Sequence, residues 1–222
     1  MLPENARGRK RFDRDFTRIG RNPPALGNLS ASPLAATCFP AMPYNERSDN
    51  EGDLQMLLIR PATIHDASLL NSLVHELAEY ERLSHEAVVT EGDITRDGFG
   101  AHPKFRAAIA EWDGEAVGYV LFFEFYSTFQ GHAGLFLDDI FVRPAFRKKG
   151  IGKALLDHVA EIAWNEKYFC MRWEVLDWNT PAIEFYRSIG AVFLEEWKSA
   201  CLIGDALQAA AEKAGKENLA SS

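Results

Sequence analysis

The 222-residue chain predicts one α/β (α+β) domain, a mixed, mostly antiparallel sheet flanked by helices. Three observations lead there. An apolar stripe recurs at helical spacing over 69–78, three consecutive runs between 105 and 142 are rich in aromatic and β-branched residues, and a second helical stripe opens directly on a glycine loop. Helical and strand periods in this order pack most economically as helices against a sheet. A hydrophobic content of 47% over this length is enough for one sizeable core.

The first strand is Met56-Leu57-Leu58-Ile59-Arg60. Leu69, Leu70, Leu73, Val74, Leu77 and Ala78 then form the stripe of a long helix that must face a core. Thr90-Glu91-Gly92-Asp93 reads as a capping box with Asp in place of Glu, opening a short helix that Gly98 and Gly100 end. Strands follow at 105–112, 116–125 and 135–142, the first two joined as a hairpin by Asp113-Gly114. From Gly152, the spacing of Leu155, Leu156, Val159, Ile162 and Ala163 gives a second long helix, and 169–176 a further strand. Thr180-Pro181 supplies an N-cap and a first-turn proline for a helix through Arg187, halted near Gly190. A last strand is expected after it, and the Ala- and Lys-rich tail beyond Gly204 reads as a helix fraying toward Ser222.

Residues 1–55 carry no apolar period and are expected to be a disordered extension, with the domain occupying 56–222. The extension holds eight basic and seven acidic side chains against 16 and 25 in the remainder, so the folded part is the acidic part. Its arginines suggest a transit sequence, but Glu4, Asp13 and Asp15 weigh against one. An upstream start codon is the plainer reading, because Met56 opens directly into the first strand. A formal charge of −8 argues against non-specific nucleic-acid binding and suits cationic ligands. No apolar run approaches the roughly 18 residues of a membrane span. Cys38, Cys170 and Cys201 offer neither a disulfide framework nor metal-ligand spacing, so no metal is expected and a reducing, cytoplasmic setting is.

The most informative segment is Arg147-Lys148-Lys149-Gly150-Ile151-Gly152, between a strand ending at Val142 and a helix. Two glycines allow close approach of the backbone to an anion, and the helix N-terminus adds unsatisfied amides and the positive end of a dipole. The spacing suits a pyrophosphate, yet it is neither G-x-G-x-x-G nor G-x-x-x-x-G-K-[ST], which sets aside the dinucleotide and Walker loops. A basic loop that merely turns the chain would look the same in isolation.

This loop resembles the R/Q-x-x-G-x-G/A signature of the GNAT acetyltransferase superfamily. Ile59-Arg60-Pro61-Ala62-Thr63, Leu77-Ala78-Glu79-Tyr80-Glu81, Asp97-Gly98-Phe99-Gly100, Leu137-Asp138-Asp139-Ile140-Phe141-Val142 and Val175-Leu176-Asp177-Trp178-Asn179 are similar, in this order, to its spermidine/spermine and thialysine N-acetyltransferase branch. The likeness runs from Leu57 to about Ala206. It implies acetyl-CoA as donor, a small-molecule amine as acceptor and a homodimer. It further implies that the backbone of Ile140, Phe141 and Val142 pairs with the pantetheine arm. Amides from Lys148, Lys149, Gly150, Ile151, Gly152 and Lys153 would take the pyrophosphate, with Asn179 and Ala182 lining the other side of the coenzyme.

By the same resemblance Tyr186 is the acid that protonates the leaving thiolate and Asp138 the carboxylate that draws a proton from the amine, in a position where the branch usually carries Glu. Spacing alone would fit Tyr186 equally to a core, and Phe141, Val142 and Asn179 to an ordinary strand and turn. Strand alternation sends Asp138 and Asp139 to opposite faces, unless a bulge intervenes. The oxyanion would be met by a backbone amide of the same strand. Tyr80, Glu81, Asp138, Trp173 and Glu196 match the amine pocket, where acidic and aromatic groups suit an ammonium. Glu195-Glu196-Trp197 is shorter than the family's loop. The substrate therefore stays open among a polyamine, a diamine and a thialysine-like amine, with a protein lysine, an aminoglycoside or a non-catalytic CoA sensor as rival readings.

Overall fold

The computed structural model describes residues 42–44 and 56–220, with side-chain surroundings described over 56–214. The strands are β1 (Met42–Tyr44), β2 (Leu57–Pro61), β3 (Arg106–Trp112), β4 (Glu115–Ser127), β5 (His132–Val142) and β6 (Met171–Trp173). The helices are α1 (Ala67–Glu81), α2 (Glu91–Phe99), α3 (Ile151–Asn165), α4 (Thr180–Ser188) and α5 (Gly204–Ala220). All six strands join one sheet in chain order, antiparallel except for the parallel pair β5 and β6. β1 falls within the stretch whose composition predicts disorder; the rest of that stretch, and the question of its processing, lie outside the described residues.

Alternation along the strands feeds two cores. Val117, Val120, Phe122, Leu135 and Leu137 pack on Ile151, Leu155 and Val159 of α3. On the other face, Ile109, Tyr119 and Phe141 meet Leu70, Leu73 and Leu77 of α1 and Ile94 of α2. Arg60 ties the first strand to the turn before α1 by a double hydrogen bond to Asp66, at 2.9 and 2.8 Å, and a third to Glu111 at 2.7 Å. The Asp113-Gly114 turn has φ of 53° and 82°, the double left-handed pair of a tight hairpin. Thr90 and Asp93 form the expected reciprocal cap. Gly118 is glycine for close approach: a Cβ there would stand 2.4 Å from the carbonyl oxygen of Phe141 across the β4–β5 ladder.

Four expectations change. Gly98 lies inside α2, which ends at Phe99 with Gly100 as its cap. Asn179, one residue earlier than expected, caps α4 by accepting from the Ala182 amide at 3.4 Å, so Thr180 is the first helical residue. The strand expected over 169–176 shrinks to three residues, and none forms beyond α4 among the described residues. β6 stops because its partner strand turns aside, and Val192, 83% exposed, has no strand beside it.

Candidate active site

β5 and β6 pair only through Leu135↔Met171, Phe136↔Arg172 and Leu137↔Trp173. Immediately beyond, on its other side, β5 has a bulge: Phe122 of β4 pairs with Leu137 and Leu121 with Asp139, so Asp138 is the extra residue. A bulge bends its strand and sharpens its twist, which parts β5 from β6 at this position. From Asp138 to Val142 the β5 backbone therefore keeps its ladder with β4 and pairs with no described strand on the other side, where the Val142 carbonyl accepts from Arg147.

The bulge also resets the pleat. Leu135 and Leu137 belong to the α3 core, and so do Ile140 and Val142, three and five residues past Leu137. Phe141 belongs to the α1 and α2 core. Leu137 faces α3, and with Asp138 as the extra residue Asp139 comes to the α1 side, where the Tyr119 hydroxyl donates to its Oδ2 at 2.9 Å.

Five ionisable side chains from four elements converge here. Burial, opposed only in part by the Tyr119 hydrogen bond and reinforced by repulsion from Asp138 and Glu81, pushes the Asp139 carboxyl up to about 6. Asp138 is more accessible; partial burial and repulsion from Glu174 raise it. Glu81, at the end of α1, is raised by burial. Tyr119, fully buried, is raised well above its ordinary value by burial and then by Asp139. Tyr186 of α4 is 6% exposed and is raised by burial and by Glu81. Its ring lies 5.1 Å from that of Trp173, the last residue of β6, and its hydroxyl bonds to no described residue. Such a cluster can attract a cation, accept a proton from it and, through Tyr186, supply one.

At the start of α3, Lys148 and Gly150 are left-handed, with φ of 64° and 79°, and no side chain caps the helix. The amides that follow Gly150 are the ordinary unsatisfied donors of a helix start, an arrangement that suits an anion. A Cβ at Gly152 would meet nothing closer than Val142 Cγ2 at 3.9 Å, so packing within the protein leaves that space free. This cradle and the open β5 edge fit a pyrophosphate with an extended amide-bearing arm. The basic side chains have local tasks: Arg147 donates from Nε to the Val142 carbonyl at 2.9 Å and lies 4.0 Å over the Tyr80 ring, Lys149 lies over Trp112, and Lys153 pairs with Asp157.

Of the residues singled out in the sequence, Glu81, Asp138, Trp173 and Tyr186 come together with the β5 edge. Tyr80 stands beside them, its ring 6.1 Å from Trp178. Ala182 has its amide engaged by the Asn179 cap. Glu196 is exposed in an irregular stretch and makes no hydrogen bond or ion pair with a described residue. Tyr119 was missed as a site residue, because a tyrosine inside an apolar run carries no signal until its hydroxyl is seen to meet Asp139. No group of three His, Cys, Asp or Glu among the described residues could hold a metal ion, and no described helix is long and apolar enough to cross a membrane.

A sheet opened at a bulge beside a glycine-rich helix start, with a tyrosine and carboxylates at the opening, defines an acyltransferase that binds a phosphate-bearing donor. Residues 70–191 match the Acetyltransferase (GNAT) family. Thialysine N-epsilon-acetyltransferase of Sus scrofa is 38% identical over 171 residues, covering 72% of this chain and 98% of its own. L-ornithine N5-acetyltransferase of Arabidopsis thaliana is 32% identical, covering 68% and 86%. An integron cassette protein from the mobile metagenome of V. cholerae has the same fold, with a TM-score of 0.61 at 24% identity over 70% of this chain and 97% of its own. The chain belongs to the GNAT acetyltransferase family and is an N-acetyltransferase acting on an amine. Acetyl-CoA is the donor that this family uses.

Proposed function

We propose that the enzyme transfers the acetyl group of acetyl-CoA to a primary amine of a small cationic substrate, a polyamine, a diamine or a thialysine-like amine, by direct attack in a ternary complex. The observation that carries this is the β5 edge from Asp138 to Val142 that no described strand pairs with, with acidic groups and Tyr186 at its opening and the uncapped start of α3 next along the chain. Names of relatives, thialysine and L-ornithine acetyltransferases, favour a substrate with an amine at the end of a flexible chain.

Acetyl-CoA, when bound, supplies an acyl group activated as a thioester. Amides of Lys148, Lys149, Gly150, Ile151, Gly152 and Lys153 take its pyrophosphate, and the backbone of Ile140, Phe141 and Val142 takes its arm. Asn179 and Ala182 flank it. Glu81 and Asp138 attract the ammonium, with Tyr80 and Trp173 as aromatic walls and Glu196 at the outer end. An alkylamine of pKa near 10.4 is free base in only about one molecule in a thousand at neutral pH, so a proton must leave before attack. Asp138 accepts it, directly or through one water. Tyr186, kept protonated by burial, gives its proton to the departing sulfur. Homodimerisation and a cytoplasmic location belong to the same proposal.

The test is thiol release from acetyl-CoA by the purified chain across thialysine, ornithine, lysine, spermidine, putrescine and an aminoglycoside, with initial rates at varied donor and acceptor. Release with a small diamine or ω-amino acid and intersecting reciprocal plots is expected. Parallel plots would refute direct attack. Coenzyme binding without release on any amine would turn the reading toward a sensor or a protein-lysine acceptor.

A further inference from the structure

We propose that Tyr119 is a positioning residue for the acetylation reaction: its buried hydroxyl pins Asp139 beside Asp138, so that the two carboxylates accept the substrate's proton as one unit. The inference rests on the amine-acetylation reading and deepens it.

Three geometric facts carry it. The bulge inserts one extra residue at Asp138, and the effect is to bring Asp139 to the Tyr119 side next to Asp138 at the point where β5 and β6 part. Tyr119 comes from β4, the strand on the far side of that bulge, and reaches Asp139 Oδ2 at 2.9 Å with a ring that has no exposed surface. An apolar side chain would fill that core position between Phe141 and α1 without leaving a hydroxyl to be satisfied, so the hydroxyl acts on its one partner.

The groups that face Asp139 are Asp138 on its own strand, Tyr119 on β4 and Glu81 at the end of α1; Glu174 beyond β6 acts on Asp138, and Tyr186 on α4 feels Glu81. Every neighbour but the tyrosines is acidic. Two carboxylates that repel each other release their protons in coupled steps, and the first to ionise makes the second a stronger base. During transfer the N–H bond of the ammonium breaks with its electron pair left on nitrogen. The proton is bound at the more accessible Asp138 and shared with Asp139, and it passes to solvent after the product leaves. Tyr119 gives up no proton; by donating to Asp139 Oδ2 it keeps that carboxylate ionised and oriented.

The experiment is a pH titration of the full chain labelled at the aspartate carboxyl carbons, together with kcat at saturating amine as a function of pH, for the wild type, Tyr119→Phe and Asp138→Asn. Tyr119→Phe should move the Asp139 titration and the acid limb of kcat upward, by roughly one pH unit, because the ionised form loses its donor. Asp138→Asn should move the Asp139 titration downward, because a like charge is removed. A residue of merely structural importance would shift neither in this opposed way. Unchanged Asp139 titration in both variants overturns the inference, as does a Tyr119→Phe acid limb superimposable on the wild type. Thermal unfolding of each variant identifies any that fails to fold, and Tyr119→Leu, which likewise lacks a donor, then replaces Tyr119→Phe. Absence of acetylation on any amine by the wild type would instead sink the reading on which the inference rests.

Discussion

Replacing Asp139 by Asn separates what this carboxylate does for chemistry from what it costs the fold. In the wild type the group rises from an ordinary 3.8 to about 6 through burial and through the charges of Asp138 and Glu81. A carboxylate raised in this way contributes its full share of stability only below the unfolded value, and that share is lost as pH rises through the folded one. At about 1.4 kcal/mol per pKa unit the loss amounts to about 3 kcal/mol, an upper bound because the side chain retains some contact with solvent. Asn keeps an acceptor for the Tyr119 hydroxyl and carries no charge. Urea unfolding at pH 4 and at pH 7.5 should therefore find Asp139→Asn close to the wild type at the lower pH and more stable by about 1 to 3 kcal/mol at the higher. Acetylation by the same variant should be depressed, a trade of activity for stability. Equal stability of the two chains at pH 7.5, or a gain of the same size at both pH values, would refute the burial and repulsion argument.

The opposite sign holds at Asp66, which the Arg60 guanidinium and the Thr63 amide hold down to about 2. Its stabilisation is present above 3.8 and fades as pH falls through about 2, so Asp66→Asn should cost about 2 kcal/mol in neutral denaturant unfolding and far less near pH 2. Tyr186→Phe should lower kcat by at least about tenfold with coenzyme affinity unchanged in calorimetry; unchanged turnover would remove it as the general acid. Gly118→Ala should yield little folded protein in a circular-dichroism melt, because its Cβ would stand 2.4 Å from a backbone oxygen that cannot yield without parting β4 from β5. Asn179→Ala should lose about 1 kcal/mol with the cap of α4.

The elements were legible where a period or a cap fixed them. The stripes of α1 and α3 placed their buried leucines, Thr90 and Asp93 formed their box, and Asp113-Gly114 took the turn that its residues require. The glycine loop was readable as the turn into α3, because two glycines before a helical stripe leave few alternatives. Pairing partners were not readable. Nothing between Phe136 and Val142 announces that Asp138 is one residue too many, since a bulge is decided by two strands together and the sequence shows one at a time. From that followed the open question of which face each aspartate takes, the overlong β6 and the unseen contact of Tyr119 with Asp139. The extra strand expected after α4 failed for a similar reason: a run such as Val192-Phe193-Leu194 has strand character, but it needs a neighbour to pair with.

The bulge at Asp138 makes the binding cleft a matter of counting. Deleting that single residue would let β5 keep step with β4 and continue alongside β6, zipping the edge shut with the chain's own hydrogen bonds. Every other residue assigned to donor or acceptor could then remain in the sequence while the opening between the strands disappeared. The opening between β5 and β6 thus rests on one extra residue, and point substitutions would act on what the opening does more readily than on whether it exists.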